Sequence, residues 1–322
     1  MPGVNPPKAV HLEGGNHFSD IKLDIAKSVS LQEEWLSAAP KRSVRRSAVR
    51  NYFSLGLYLA LSRIGLWEPA VNCGLVSGWF TEFRDYWFRS LDGRPITLMD
   101  FHGLRFLFRT RFAQLTEFAW DDSTRHLRNW QLPLNIHAIL FFVFRAALEP
   151  LRCGTLLKVL KPGMRVLEFG CSIAPMYRTW RKFWSHVATE WVLADIPNFP
   201  FHYARHVYSR DREASFCLIA EELFDEPLKN VAGSFDLIIL QEVFEHLHKP
   251  LQMAGYLLDR LKPGGLFYFD YIRSDAKGHD TPAGLHERIP TLQFLSDKLE
   301  IVSGNFEVSD KSLGRCIGRK RA

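Results

Sequence analysis

The chain of 322 residues is short of cysteine and has no long uninterrupted apolar run. Its five cysteines are scattered and form no Cys-x-x-Cys pair, so neither a disulfide framework nor a structural zinc site is indicated. No apolar stretch reaches the roughly 20 residues that a membrane-spanning helix needs. Residues 1–7 show no charged start followed by an apolar core, so we expect no signal peptide and a cytoplasmic location.

The chain also lacks a strong charge of either sign. Its formal net charge of +6 permits an acidic partner without demanding one. With 47% hydrophobic and 24% charged residues, the composition is that of a globular protein. The length allows one large domain or two ordinary ones.

Three regions differ in composition. Residues 1–40 are polar, with early proline and glycine, and predict a loosely ordered leader. Residues 41–155 are rich in aromatic side chains and predict a helical cap that contacts the substrate. Residues 156–322 alternate short apolar runs with helical patterns, which is typical of a doubly wound parallel sheet.

The second region opens with a basic segment. Arg42, Arg46 and Arg50 recur at a spacing that places them on one helical face, and the apolar residues 52–61 follow directly. Such a sequence can form an anchor at a membrane surface. A cap helix with a buried face is the favoured interpretation, because Arg63 interrupts the apolar run.

Aromatic side chains dominate residues 67–130, with arginines interleaved among them. Such mixtures can stack on bases or sugars, but aromatic side chains at this spacing more often form core. We expect this region to fold over the site as a lid that selects a small or lipid-linked molecule. The apolar residues 139–144 predict a buried helix that joins the cap to the second domain.

Seven strands are predicted in the last region: 165–169, 191–195, 215–219, 235–241 and 266–271, and two closing strands at 300–303 and 313–319. After the first of them, Gly170 allows a sharp turn into a helical pattern that begins near Met176. The free N–H groups of such a helix can bind an anion, so the turn is a candidate nucleotide site. Asp195, at the end of the second strand, stands where a ribose-binding carboxylate belongs in such a unit.

Four segments in this order resemble the class I S-adenosylmethionine-dependent methyltransferases: Glu168-Phe-Gly-Cys-Ser, the strand ending at Asp195, Phe235-Asp-Leu-Ile followed by Glu242-Val-Phe-Glu-His-Leu, and Leu261-Lys-Pro-Gly-Gly. The resemblance extends from near Leu156 to the C-terminus. It implies a Rossmann-like, mostly parallel sheet with an antiparallel edge strand, and S-adenosylmethionine as cofactor. One departure is notable: the family's acidic-x-Gly-x-Gly-x-Gly loop appears here with Ser172 and Ala174 in place of the last two glycines.

The resemblance assigns roles to residues at the strand ends. Gly170 and Ser172 let the backbone approach the cofactor, Glu168 fixes the loop or reaches the cofactor's amino group through water, and Asp195 accepts from both ribose hydroxyls. Glu221, with Glu222 as the alternative, falls near the adenine, and Gln241 lies beside the transferring methyl group. Two simpler interpretations stay open: Asp195 caps a helix, and Glu221 with Glu222 forms a solvated acidic pair.

A cluster follows the fourth strand. On a helix, Glu242, Glu245 and His246 would share one face and form part of a shell for a divalent cation, with His279 or His286 as a further ligand. The pattern resembles the metal site of the small-RNA 3′-terminal 2′-O-methyltransferases. Without a metal, these side chains line the pocket, and His246 or His248 is the candidate general base.

These observations predict methyl transfer to a hydroxyl, or less favourably to nitrogen or carbon, of a small-molecule, sugar or lipid-linked acceptor. The fourth strand lacks the Asn/Asp-Pro-Pro-aromatic element of amino-methylating nucleic-acid enzymes, and no RNA-binding module is recognisable, so nucleic acid is disfavoured. The alternatives are a catalytically weak methyltransferase-like binding protein, a metal-dependent RNA 2′-O-methyltransferase and a nicotinamide-dependent oxidoreductase. The last requires Gly-x-Gly-x-x-Gly, of which only Gly170 is present.

Overall fold

The computed structural model describes residues 53, 56, 57, 59–66, 69, 79–92, 94–97, 100, 103, 130–132, 135–146, 149–274 and 280–321. They divide into two compact units. The first comprises the described residues of 1–116, 128–148 and 198–207, and the second those of 149–197 and 208–322. The predicted domain limits at residues 40 and 155 stay a prediction.

The helices are α1 (Trp79–Tyr86), which continues as a π-helical turn (Trp87–Asp92), α2 (Asn135–Ala146), α3 (Glu149–Arg152), α4 (Gly154–Val159), α5 (Pro175–Phe183), α6 (Phe199–Tyr208), α7 (Pro250–Asp259), α8 (Pro282–His286) and α9 (Arg288–Lys298). Two single 3₁₀ turns lie at Glu221–Leu223 and Phe244–His246. No helix among the described residues combines the length and the apolar character needed to cross a bilayer.

The strands are β1 (Arg165–Phe169), β2 (Glu190–Asp195), β3 (Ala214–Leu218), β4 (Phe235–Leu240), β5 (Leu261–Tyr271), β6 (Leu299–Ser303) and β7 (Leu313–Lys320). They form one sheet in the order β3-β2-β1-β4-β5-β7-β6. The strands β1 to β5 pair in parallel, and β7 pairs antiparallel with both β5 and β6. The predicted doubly wound, mostly parallel sheet with antiparallel pairing at one edge is confirmed.

Central strands of this sheet are buried almost throughout. In β1, β2 and β4, nearly every residue is buried, as expected for parallel strands with both faces covered. The strand order reverses between β1 and β4, because the chain first builds outward from β1 through β2 to β3 and then returns. Ligands in such sheets bind beyond the carboxyl ends of the strands at this reversal.

β5 begins earlier than predicted. Its pairing with β4 jumps from Leu261 to Leu266, so that the intervening Lys-Pro-Gly-Gly bulges out of register within the strand. The sequence predicted a turn here from its Pro-Gly-Gly residues. Pro263 cannot donate to a ladder, and in the structure Gly264 has φ +69°.

The first unit is aromatic, and its described aromatic residues mostly form core. Phe80, Phe83, Tyr86 and Trp87 are buried, whereas Phe88 is exposed. The aromatic residues 101–120 and Arg42, Arg46 and Arg50 lie outside the described residues. In α2 the apolar side chains are mainly buried, but Phe141 is exposed.

α6 belongs to the first unit through Val207, although it connects β2 to β3 along the chain. The Tyr86 hydroxyl is 2.8 Å from His202 Nδ1, and the Tyr203 hydroxyl donates to Glu82 at 3.1 Å. His206 bridges the π-helical turn and α1, with Nδ1 2.8 Å from the Ser90 hydroxyl and Nε2 3.0 Å from Asp85. Polar contacts thus join α1 and α6 alongside their aromatic side chains.

Candidate active site

The carboxylate of Asp195 joins the loop after β1 to the end of β2. Its Oδ2 accepts from the backbone N–H of Ser172 at 2.5 Å, and its Oδ1 accepts from that of Ile196 at 2.7 Å. The backbone N–H of Cys171 also donates to the carbonyl of Ala194 at 3.1 Å. Gly170 and Asp195 therefore lie on the same side of the switch point, as the sequence predicted.

Glu168 fixes the loop by capping α5. Its carboxylate accepts from the backbone N–H groups of Met176 at 3.0 Å and Tyr177 at 2.9 Å, which are the first donors after Pro175. The prediction that these N–H groups are available to an anion is therefore wrong, because a protein carboxylate already occupies them. A phosphate-bearing dinucleotide would lose the helix terminus that usually binds its pyrophosphate.

Glu168 is fully buried, and this burial raises the pKa of its carboxyl to about 8, with Glu149 and Asp195 adding negative charge nearby. The two backbone donors act in the opposite direction but do not cancel the cost of desolvation.

The loop between β1 and α5 has alternate residues in the left-handed region. Gly170, Ser172 and Ala174 have φ of +66°, +52° and +55°. These are the positions at which the resembling family carries glycine. The backbone thus keeps the glycine conformation where two of the glycines have been replaced, at a cost of about 1–2 kcal/mol for each non-glycine residue.

Gly170 is also required by packing within the second unit. A Cβ atom built there would collide with Cγ2 of Val243 and lie 3.3 Å from its Cγ1. The loops that follow β1 and β4 approach each other this closely only because position 170 has no side chain.

The segment after β4 is held by β5. Glu242 has φ +52°, and its backbone N–H donates to Oδ1 of the buried Asp270 at 2.6 Å. Asp270 has a clear signal in the sequence, since it is an acid near the carboxyl end of an apolar strand, but the sequence interpretation did not select it.

Gln241 lies in a polar network that the sequence did not predict. Its side-chain amide nitrogen is 3.4 Å from the hydroxyl of Tyr268. In the opposite amide orientation, the oxygen takes the place of this nitrogen and accepts from Arg315 Nε at 2.8 Å and Nη2 at 3.1 Å. Arg315 in turn makes a bidentate ion pair with Glu149, with both N···O distances 3.0 Å.

The predicted helix that carries Glu242, Glu245 and His246 on one face is wrong. Only the single 3₁₀ turn Phe244–His246 forms, and Thr281 anchors it by donating from its backbone N–H to the carbonyl of Glu245 at 2.8 Å. Glu242 is exposed and Glu245 is buried, so these two carboxylates do not share a face.

No group of three or more His, Cys, Asp or Glu side chains that could hold a metal occurs within the described part of the chain. His246 Nε2 lies 3.9 Å from Glu245 Oε1. Of the further ligands considered, His286 is exposed at the end of α8, and His279 lies outside the described residues.

Glu245 is the least satisfied acid of this segment. Its Oε2 is buried without a hydrogen-bond partner. Burial raises the pKa of its carboxyl well above the usual value, and the charges of Asp270, Glu242 and Asp280 act in the same direction.

Two predicted residues stand further along the strand ends. Glu221 is exposed and is the first residue of the 3₁₀ turn after β3. The end of β3 is held against β2, because the backbone N–H of Ile219 donates to the carbonyl of Asp195 at 2.8 Å. Glu222 is exposed beside it, and His248 is half-buried after the turn that follows β4.

A family model described as a methyltransferase domain matches residues 144–306, which is half of the chain. The chain belongs to this methyltransferase family. It is an S-adenosylmethionine-dependent enzyme of class I, and the predicted resemblance is confirmed.

Solved structures of similar fold have low identity to this methyltransferase. A methyltransferase from Pyrococcus furiosus is 18% identical, with 56% of this chain and 85% of that chain covered and a TM-score of 0.37. An O-methyltransferase family protein from Burkholderia thailandensis is 10% identical, with 69% and 71% covered and a TM-score of 0.45. Likenesses of this size identify no acceptor. No curated protein sequence matches the chain.

The residues that sequence reasoning missed in this methyltransferase share one property. Arg315, Glu149 and Val243 act through contacts with residues far away in sequence. Arg315 and Glu149 are 166 positions apart, and neither stands in a motif, so no local pattern could have paired them.

Proposed function

We propose that this methyltransferase transfers the methyl group of S-adenosylmethionine to a hydroxyl oxygen of a small-molecule, sugar or lipid-linked acceptor. The observation that carries the cofactor site is the hydrogen bond of 2.5 Å between the Ser172 backbone and the Asp195 carboxylate. It brings the β1 loop and the β2 acid to one place at the switch point, where ligands of such sheets bind.

The residues at this place fit an adenosyl group. The left-handed loop at Gly170, Ser172 and Ala174 allows close backbone approach. A carboxylate offers about four acceptor positions, so the backbone bonds of Asp195 are compatible with ribose hydroxyls as further donors. The capping of α5 by Glu168 favours a cofactor without phosphate over a dinucleotide.

Glu221 is proposed near the adenine and Gln241 beside the reacting methyl group. When bound, S-adenosylmethionine supplies an already activated methyl group, so the protein's main tasks are alignment and removal of water. With its oxygen accepting from Arg315, the Gln241 amide has a fixed orientation at the end of β4, which limits the groups that a bound molecule can place there.

A hydroxyl acceptor must lose a proton, and His246 and His248 are the proposed bases. Imidazole titrates near neutral pH and can accept that proton at a ring nitrogen. The buried Glu245 carboxyl lies beside His246, with Oε1 3.9 Å from Nε2 of the ring.

The proposed transfer does not include a divalent cation. The different exposure of Glu242 and Glu245 does not fit a shared coordination shell, so no step is assigned to a metal. A metal-dependent RNA 2′-O-methyltransferase would lose transfer on chelation and regain it on adding the cation.

The variant Asp195→Asn tests whether Asp195 binds the ribose of the cofactor. Thermal shift and calorimetry should show that S-adenosylmethionine and S-adenosylhomocysteine bind the wild-type chain and that NAD does not. Asp195→Asn should weaken binding by roughly 1.5–3 kcal/mol, since a charged hydrogen-bond acceptor is lost. The exposed Asp310→Asn is the matched control and should bind as the wild type does.

Unchanged affinity in Asp195→Asn would refute the ribose assignment. Absence of S-adenosylmethionine binding even at millimolar concentration would instead favour a methyltransferase-like protein without turnover. For the acceptor, extracts incubated with a deuterated-methyl donor and the enzyme should yield a labelled methyl ether by mass spectrometry. Label on RNA, or on nitrogen, would contradict the proposed hydroxyl of a small or lipid-linked molecule.

A further inference from the structure

The positive charge of the chain is concentrated in one short segment. Residues 41–63 carry six of the 41 lysine and arginine side chains and no aspartate or glutamate, which leaves 35 basic and 35 acidic side chains elsewhere. The whole formal surplus of +6 therefore belongs to 23 residues.

The end of the same segment exposes large apolar side chains. Five of the twelve exposed large hydrophobic residues described in the chain lie within residues 53–66: Phe53 (78%), Leu57 (52%), Leu59 (44%), Ile64 (66%) and Leu66 (50%). The sequence favoured a helix with a buried face here, and the five exposed side chains do not lie on such a face. Clustered exposed apolar groups mark a surface that contacts a partner or a membrane.

The described residues of this segment up to Arg63 are helical, and the helix has a defined end. Residues 59–63 are helical, as are Phe53 and Leu57. Gly65, with φ +70°, closes the helix: its N–H donates to the Ser62 carbonyl at 3.1 Å, and that of Leu66 donates to the Leu61 carbonyl at 2.8 Å. This is a Schellman motif. Phe53 and Leu57 are four positions apart, a spacing that places two side chains on one face of a helix.

We propose that residues 41–66 bind the surface of an anionic lipid bilayer, with the arginines at the headgroups and the apolar side chains in the interface. Six cations without an acid complement a negatively charged leaflet, and Phe, Leu and Ile side chains gain free energy when they enter the acyl boundary. Nucleic acid would satisfy the cations but leave the apolar side chains in water. The inference goes beyond the proposed function, because it concerns binding and needs no methyl transfer.

Co-sedimentation of the full chain with vesicles tests the inference. Vesicles of phosphatidylcholine alone are compared with vesicles that also contain phosphatidylserine, at low and high salt. The wild-type chain should sediment with the anionic vesicles and much less with the neutral ones. The triple variant Arg42→Gln, Arg46→Gln, Arg50→Gln should lower the partition coefficient on the order of 100-fold.

The apolar contribution has its own variant, Phe53→Ser, Leu57→Ser, Ile64→Ser. It should lower partitioning at least about tenfold and remove the part of binding that resists high salt. Matched controls change the same numbers of exposed side chains in the second unit: Lys161→Gln, Lys298→Gln, Lys311→Gln for charge, and Leu285→Ser, Ile289→Ser, Val302→Ser for apolar surface. Both controls should bind within about twofold of the wild type.

Circular dichroism and the thermal shift with S-adenosylhomocysteine verify that each variant is folded. Three results would overturn the inference: no sedimentation of the wild type with anionic vesicles, equal losses in variants and controls, or unchanged partitioning of the apolar variant. A single-stranded RNA homopolymer serves as the competing ligand. Arginine-dependent RNA binding without vesicle binding would assign the segment to nucleic acid and reject the lipid surface.

Discussion

Ser172 and Ala174 lower the stability of the folded chain through backbone strain in the loop between β1 and α5. Both hold φ above +50°, which strains a residue with a Cβ by about 1–2 kcal/mol, whereas glycine loses about 0.5–1 kcal/mol through its more flexible unfolded chain. Ser172→Gly and Ala174→Gly should therefore each raise the free energy of unfolding by roughly 0.5–1 kcal/mol in urea titrations. Ala283→Gly in α8 is the control and should lower it by a similar amount. Destabilisation by the loop substitutions would contradict the strain.

Gly170 is constrained by both its backbone and its neighbour. Gly170→Ala should lower stability and cofactor affinity, because φ of +66° is strained and the new Cβ meets Val243. Removing the two Val243 methyl groups by Val243→Ala should restore part of the loss, since only the steric share depends on them. A double-mutant cycle in urea denaturation should give a favourable coupling of about 1 kcal/mol or more. Additive losses would mean that the backbone strain alone explains the glycine.

At the scale of elements, Glu168 couples the start of α5 to proton binding. The pKa of its carboxyl is about 8 in the folded chain and about 4.3 when exposed, so between these values the folded state holds a proton that the unfolded state has released. Stability must then fall as pH rises through this window, by at most about 1.4 kcal/mol per pH unit, and level off below and above it.

Glu168→Gln removes this titration. The variant should be less stable than the wild type near about pH 5, because its amide nitrogen cannot accept from the α5 backbone, and the difference should shrink toward about pH 8. Urea denaturation of both proteins across this range measures the difference. A difference that stays constant with pH would show that Glu168 keeps the same protonation in both states.

Elements with a strong local pattern were predictable from the sequence, and others were not. β1 and β4 are continuous apolar runs bounded by turns, and they appear within one residue of their predicted limits. The predicted helix at residues 242–246 fails because Asp270 holds the Glu242 backbone in the left-handed region, which ends any helix there. Sequence periodicity predicts which residues could share a helical face. It does not predict which distant acid accepts a hydrogen bond from a backbone N–H.

In the candidate site, too, residues in a local pattern were predictable and residues placed by distant contacts were not. Gly170 and Asp195 were predictable because strand ends of a parallel sheet meet at one edge. The polar network around Gln241 was not, because Arg315 enters from β7 and Glu149 from α3. For Glu168, the sequence predicted a role in fixing the loop but not the capping of α5, because it does not show that both carboxylate oxygens accept from the helix.

At the scale of the whole molecule, the two units are not consecutive in sequence. α6 connects β2 to β3, yet it belongs with α1, where the Tyr86 and Tyr203 rings lie 5.2 Å apart, edge to face. The proposed boundary between residues 155 and 156 would therefore cut α6 from its partners. Phe199, Phe201 and Tyr203 are fully buried in the intact chain.

A fragment of residues 149–322 should consequently be much less stable than the full chain. Loss of α1 exposes aromatic side chains worth roughly 1.5–3 kcal/mol each, which is a large part of the 5–15 kcal/mol typical of a folded protein. A fragment of residues 79–322 keeps α1 and should retain cooperative unfolding in urea and binding of S-adenosylhomocysteine. Because all the proposed cofactor residues lie in both fragments, a difference between them reports on residues 79–148, which include α1. Equal stability of the two would show that α6 does not need α1 in order to fold.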